Sequence, residues 1–371
     1  PTGGINTPPA AVTTSPPVAI SPSVSPQDTI QPATTPLPTS PSPAPPTVTQ
    51  PPAASPLTTP AVTQSPTPVQ KPSPSPTPTG LPFPTVVYKP AAAPYIPSGQ
   101  EMELVKYVLQ LINKDRADHN VPPVELAFNA AAQKHAQDMF THKFLAHWGT
   151  DGLKPYMRYT LAGGFNLEGE NAAYSFGNVA FDVKTEIAAL QWAMVYDDAA
   201  SNWGHRDTML NRMYSRVSIG LVYDANHLAL VQQFESDFVE FFQPPTLNGN
   251  ILSLSGQFKM KGLTLNNAAI TFDKLPQPLT AAELKAGPYH SYGLGPQVGW
   301  VFPPPPPGAT YANLPAGAVV AGKGLVKEEI FWLEADISTI LTRGPGVYTA
   351  CLIAVKEGRP TNFTNYSIIV K

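Results

Sequence analysis

From Ser98 onward apolar residues recur at helical spacing, with Leu104, Val105, Val108, Leu111 and Ile112 on one side and Lys106, Lys114 and Asp115 on the other. Ser98 and Glu101 just ahead have capping-box spacing, in which hydroxyl and carboxylate satisfy each other's free backbone donors. This pattern predicts a helix ending near His119 and Asn120, before Pro122 and Pro123. A second amphipathic helix is expected from about Asn129, with Ala132, His135, Ala136, Met139 and Phe140 on one face. A third over residues 183–196 carries Ile187, Leu190, Gln191 and Met194. Two β-rich runs, 217–224 and 227–234, flank Ala225 and Asn226 and read as a hairpin. Helices around a small antiparallel sheet predict a three-layer α/β/α sandwich over residues 98–243.

After Pro244 and Pro245 the pattern becomes short strand-like runs punctuated by Gly and Pro: 251–255, 269–272, 299–302, 330–336, 347–355 and 367–370. These predict an all-β sandwich over 244–371. Tyr348 sits where a corner tyrosine could stand, but its spacing of three to Cys351 is not the immunoglobulin one. The five prolines 303–307 read as a rigid loop or edge guard. Asn362 and Asn365 head two sequons, meaningful only in a source that glycosylates asparagine.

Composition separates the N-terminal part from all of this. Residues 1–80 contain 24 Pro and 26 Ser or Thr, no aromatic side chain, and only Asp28 and Lys71 as charges. So few large apolar groups cannot offset a chain entropy of about 1–2 kcal/mol per residue, which excludes an autonomous globular domain there. Residues 1–97 are expected to be an extended, polyproline-II-like stalk carrying O-linked glycans in the manner of mucin-like segments. The net charge is −3 with no basic cluster, which excludes a nucleic-acid partner held through its phosphates. No apolar run approaches the roughly 20 residues of a membrane helix. The single cysteine, Cys351, has no internal disulfide partner. A chain starting at Pro1 leads us to expect that a secretory signal has been removed.

Four groups of residues in order carry the candidate chemistry: Ala132 to Met139 on a helix, including His135; His147, then Asp151, Gly152 and Arg158; Gly169, Glu170, Asn171 and Ala172; and Gly204, His205 and Arg206, followed by Ile219, Gly220 and Leu221 and by Gln233 and Phe234. In this order they resemble the CAP superfamily, the cysteine-rich secretory, antigen 5 and pathogenesis-related (SCP) group, of prokaryotic extracellular type. The resemblance covers about residues 101–236. It implies two His and two Glu facing a central cavity that can bind a divalent metal, with His147, Glu170 and His205 at matching positions. The second Glu, expected three residues after Trp192, is replaced by Val195, with Asp197 or Asp198 nearby.

Two imidazoles and one carboxylate form a plausible zinc set with an open site. They are equally what a hydrogen-bonded buried cluster holding the fold together would contain. No Gly-x-Ser-x-Gly elbow, His-Glu-x-x-His helix or Cys/His pair is present in this region, so the sequence points away from catalysis. His135 is expected at the core edge, Trp192 and Trp203 in the core or cavity wall, and Arg158 as a loop anchor. The leading expectation is a secreted or cell-surface glycoprotein with a binding or structural role. Its specific form is a subunit of an extracellular filament, self-assembling through the stalk and exposed β-edges. A metal-dependent extracellular hydrolase and a lipid-binding CAP protein are the alternatives.

Overall fold

A computed structural model describes residues 19–20 (backbone only), 93–356 and 358–371. Most of the expected stalk, and whatever sugars it carries, lies outside the described residues.

Three helices expected from periodicity are present: α1 (Gly99–Asp118), α2 (Ala130–His142) and α4 (Val183–Tyr196). Most of their inward residues are apolar, but Asp115 of α1, expected on the polar side, is buried, its carboxylate accepting from Gln191 Nε2 at 2.7 Å and from the Tyr196 hydroxyl at 2.9 Å. Asn129 caps α2 by accepting from the Ala131 N–H at 2.9 Å. The Ser98 side chain, in contrast, makes no cap bond; Glu101 accepts instead from the Tyr95 hydroxyl at 2.7 Å. A capping box does form at Thr280 and Glu283, at the start of α6 (Ala281–Ala286). The expected hairpin is β4 (Arg216–Tyr223) and β5 (His227–Glu235). Sequence reading did not assign α3 (Pro155–Leu161), α5 (Gly204–Met209) or the two-residue β2 (Glu125–Leu126).

One sheet has the order β1-β3-β5-β4-β2, where β1 is Ala19–Ile20 and β3 is Glu168–Phe176. Its pairings are antiparallel except β2 with β4. Ala172, Tyr174, Ala229 and Val231 pack with α2 on one face, while Ala173, Leu228, Leu230 and Phe234 share a core with α1 and α4 on the other. The expected three-layer α/β/α arrangement is therefore present. Gly220 lets α2 lie directly on the sheet, since a Cβ there would stand 2.2 Å from the Ala132 carbonyl oxygen.

Further along are β6 (Val239–Asn248), β7 (Ile251–Phe258), β8 (Leu265–Asp273), β9 (Gln297–Phe302), β10 (Ala318–Val320), β11 (Lys323–Lys327), β12 (Ile330–Asp336), β13 (Gly346–Lys356), β14 (Arg359–Asn362) and β15 (Tyr366–Val370). They make a four-stranded sheet, β11-β12-β7-β6, and a six-stranded one, β10-β9-β8-β13-β14 with β15 also on β13. The expected all-β region is present. β6 runs through Pro244 and Pro245, its register against β7 shifting between Phe241 and Gln243 and again between Gln243 and Thr246. Tyr348 donates to the Gly344 carbonyl at 2.9 Å, the backward bond expected of a corner tyrosine.

The six-stranded sheet is buried on both faces. Tyr348, Ala350, Leu352, Ala268 and Ile270 pack into the sandwich core, whereas Val347, Cys351, Ile353 and Ala269 pack against Tyr156 and Met157 of α3. This double burial explains why residues 347–354 are an unbroken apolar or small run rather than an alternating one. Lys154 reaches Asp273 at 2.7 Å and Tyr156 donates to the same carboxylate at 2.6 Å, so the α/β/α part and the β part share a buried polar seam. Asn365 is fully buried and Asn362 nearly so, with the Asn362 amide donating to Asn365 Oδ1 at 2.8 Å. Neither sequon is accessible in the folded chain.

Candidate functional site: a buried histidine and carboxylate cluster under a tyrosine

Strand β3 presents Glu168 and Glu170 on the face toward α2 and α3, where both are fully buried. His147, in the loop after α2, places Nδ1 3.0 Å from Glu170 Oε1. Arg158, from α3, donates from Nη2 to Glu170 Oε2 at 2.9 Å and to the His147 carbonyl at 2.9 Å, and from Nη1 to the Leu153 carbonyl at 2.7 Å. The expected loop anchor is thus also the counter-ion of Glu170. Burial alone pushes the Glu170 carboxyl up, but Arg158, then His135 and His147, outweigh it and bring it down to about 2.

His135 lies deeper than a core edge, 1% exposed, with Nε2 2.8 Å from the Ala146 carbonyl and 3.8 Å from Glu170 Oε1. A carbonyl can only accept, so Nε2 carries the proton. Burial and then the Arg158 charge lower this imidazole to about 4, so it is neutral at physiological pH. Glu168 behaves oppositely: burial, then the like charge of Glu170, push it well above the usual carboxylate range.

His205 sits at the start of α5. Its Nδ1 donates to Asp198 Oδ1 at 2.6 Å, and Asp198 Oδ2 accepts the backbone N–H groups of His205 and Arg206 at 2.9 and 3.2 Å. Asp198, one of the two carboxylates the sequence left near the degraded position, is therefore the partner of His205. Burial lowers the His205 imidazole, with Asp198 opposing the shift and His147 adding to it. Val195 itself is fully buried in the apolar core beneath α4. Trp192 corrects the expectation of a core or cavity position: it is 54% exposed and stacks on Tyr196, because the inward side of α4 is taken by Ile187, Leu190, Gln191, Met194 and Val195. Trp203, also partly exposed, lies under the Arg206 guanidinium.

The segment between β8 and β9 closes the cluster. The Tyr292 hydroxyl accepts the Glu170 N–H at 2.6 Å, its ring centroid is 4.8 Å from that of His147, and the Tyr289 carbonyl accepts the His147 N–H at 2.9 Å. Leu284 of α6 is buried with Ala136, Met139 and Phe144, and the Leu279 N–H donates to the Thr150 carbonyl at 2.8 Å. Gly152 turns with φ +74° where a Cβ would stand 2.1 Å from the Gln277 carbonyl oxygen, so only glycine permits this approach. Tyr292 escaped sequence reading because it lies in an irregular segment 122 positions from Glu170, with no periodic or motif signal around it.

His147, Glu170 and His205 differ in how well they would serve as zinc ligands. His205 offers a suitable neutral imidazole with its Nδ1–H fixed by Asp198. Glu170, however, is engaged by Arg158 and His147. Among the described residues no three His, Cys, Asp or Glu side chains gather as a ligand set. As arranged, these residues do not fit the metal.

Residues 109–234 match the model of the CAP, or cysteine-rich secretory protein, family. Among solved structures, the chain is similar to an extracellular protein containing an SCP domain from Bacillus anthracis str. Ames, with 24% identity over 38% of this chain and 45% of that one and a TM-score of 0.29. It is also similar to the CAP domain of Enterococcal PrgA, with 14% identity over 37% of this chain and 63% of that one and a TM-score of 0.27. The chain thus spans less than two thirds of either. No curated protein matches it significantly. The ordered motifs around His147, Glu170 and His205, the three-layer fold that carries them and the family match over the same stretch agree: residues 109–234 are a CAP domain.

Proposed function

We propose that this protein is an extracellular or cell-surface glycoprotein in which a CAP domain, fused to a β-sandwich, follows a glycosylated Pro/Ser/Thr-rich stalk and has a binding or structural role, as a subunit of an extracellular filament. The observation that carries the non-catalytic part is the sealed cluster. Glu170 is neutralised by Arg158 and, like His147 and His205, fully buried, which leaves no solvent-exposed general base there. The composition of residues 1–80 supports the stalk and its O-glycans. The family match supports an extracellular location, and no helix among the described residues is long and apolar enough to cross a membrane.

The test is electron microscopy of native material together with glycan staining before and after chemical deglycosylation. Fibres with sugar-dependent mass on the N-terminal segment are expected. Monodisperse particles with unmodified Ser and Thr would overturn the reading. Zinc-dependent hydrolysis lost on H147A and H205A would replace it with the hydrolase, and saturable uptake of labelled lipid by delipidated protein with the carrier.

A further inference from the structure

A cavity of about 460 Å³ lies where the loop after β2, the turn after α3, the start of β4 and the end of β5 meet. None of the residues of the Glu170 cluster lines it, and its size falls within the roughly 300–1,000 Å³ of small-molecule sites. Leu126, Phe128 and Phe165 make the lining mainly apolar. Local bonds hold this frame in place. The Ala127 N–H donates to the Val217 carbonyl at 2.8 Å, the Phe128 carbonyl accepts the Tyr95 N–H at 3.0 Å, and the Phe165 ring stands 5.6 Å from that of Phe241. Gly164 leaves room for the Tyr159 ring, which a Cβ there would approach to 2.3 Å, and Tyr159 donates to Glu235 Oε2 at 2.5 Å. Arg216 places Nε 2.9 Å from Glu235 and Nη2 3.2 Å from Asp237, which also meets Lys259 at 2.7 Å. Two cations and two carboxylates cancel, so this wall has no net attraction for an ion. One polar group of the lining is left over. Asn166 is 1% exposed, and its Oδ1 has no hydrogen-bond partner among the described residues. An unpaired buried acceptor weakens the free chain, and a ligand that donates to it removes that cost.

We propose that this cavity is a binding site for a small uncharged, polyhydroxylated ring, a sugar of the pyranose class. The C–H faces of such a ring suit the aromatic side chains of Phe128, Phe165 and Tyr159. Its hydroxyls both donate and accept, as the mixed polar wall requires. Asn166 and the carboxylate of Glu235 offer acceptor positions, and the guanidinium of Arg216 offers N–H donors. An acyl chain would satisfy only the apolar side and leave Asn166 buried without a partner. A charged ligand would have to leave water for a wall whose own charges are already paired. The inference goes beyond the filament reading and does not rest on it, so either can fail alone.

The test is an NMR titration of the isotope-labelled full-length chain with the methyl glycosides of glucose, galactose, mannose and N-acetylglucosamine. At least one is expected to shift, saturably, the backbone amides of residues 126–129 and 163–166. A127W, which fills the cavity, is expected to abolish these shifts; A162L narrows it from the end of α3 and serves the same purpose if A127W does not fold. N166L is expected to weaken the same glycoside about tenfold, the worth of one hydrogen bond left unmade. Its melting temperature should be no lower than the parent's, because leucine removes the unpaired acceptor. A merely structural Asn166 gives the opposite result, a lower melting temperature with unchanged affinity, and counts against the proposal. It is overturned outright if no glycoside shifts those amides, if binding survives in the filled variant, or if laurate saturates the same amides and displaces the sugars.

Discussion

Replacing Arg158 by methionine probes the cluster directly. The side chain keeps most of its volume but loses the charge that Glu170 meets at 2.9 Å, with both groups buried. The Glu170 carboxyl stands at about 2 against an ordinary 4.5, about 2.5 pH units, equivalent to roughly 3 kcal/mol at neutral pH. Stranding one partner of a buried pair typically costs about 3–5 kcal/mol, so the two routes to the magnitude agree. In a domain of this size that lowers the melting temperature by roughly 6–20 °C. The pH dependence discriminates further. A depressed carboxyl contributes stability above its unfolded pKa that is lost as pH falls from 4.5 toward 2, whereas in R158M burial, now unopposed by Arg158, raises the same carboxyl. The deficit of R158M in chemical denaturation should therefore be largest near pH 7 and shrink on acidification. The double variant R158M/E170M should recover much of the loss, since an apolar pair of similar volume leaves no buried charge. An R158M chain as stable as the parent at pH 7, or a deficit that grows as pH falls, would refute the account of Glu170 as an ion-paired keystone.

Four other outcomes follow from the same geometry. Y292F leaves the buried Glu170 N–H without its acceptor and should lose about 1–3 kcal/mol in urea titration, with the pairing of β3 intact by amide exchange. H135Q should flatten the acid limb: a buried imidazole at about 4 against 6.5 unfolded stabilises above pH 6.5 and loses that stability as pH falls toward 4, so removing it changes the slope by about 1.4 kcal/mol per pH unit there. E168Q should be more stable than the parent above pH 4.5, with the gain growing as pH rises, because burial raises the Glu168 carboxyl, which costs stability above its unfolded value. Added zinc should leave the melting temperature unchanged; a rise with the logarithm of zinc concentration, absent in H147A, would show that Glu170 leaves Arg158 to make a metal site.

Local chemistry made the main elements of this chain legible. The 3.6-residue period of α1, α2 and α4 names the apolar residues that end up inward, though it puts the buried Asp115 on the outer side, the 225–226 turn sets the hairpin, and the apolar run at 347–354 announces a strand covered on both faces. The order of the His147, Glu170 and His205 motifs was enough to reach the CAP domain, and the shortage of apolar side chains in residues 1–80 excluded a core there. What tertiary structure decided is which groups meet. Asp198 pairs with His205 through a turn between α4 and α5; Arg158 reaches Glu170 from a short helix with no periodic signature; Tyr292 arrives from 122 positions away. The Arg158 and Tyr292 contacts depend on how α3 and the segment between β8 and β9 pack around β3, and nearest-neighbour preferences carry no record of it. The same three motif residues, His147, Glu170 and His205, would suit a metal or a structural cluster. Only the placement of one arginine and one tyrosine around Glu170 distinguishes the two, because a buried carboxylate already matched by a guanidinium has no charge left to give.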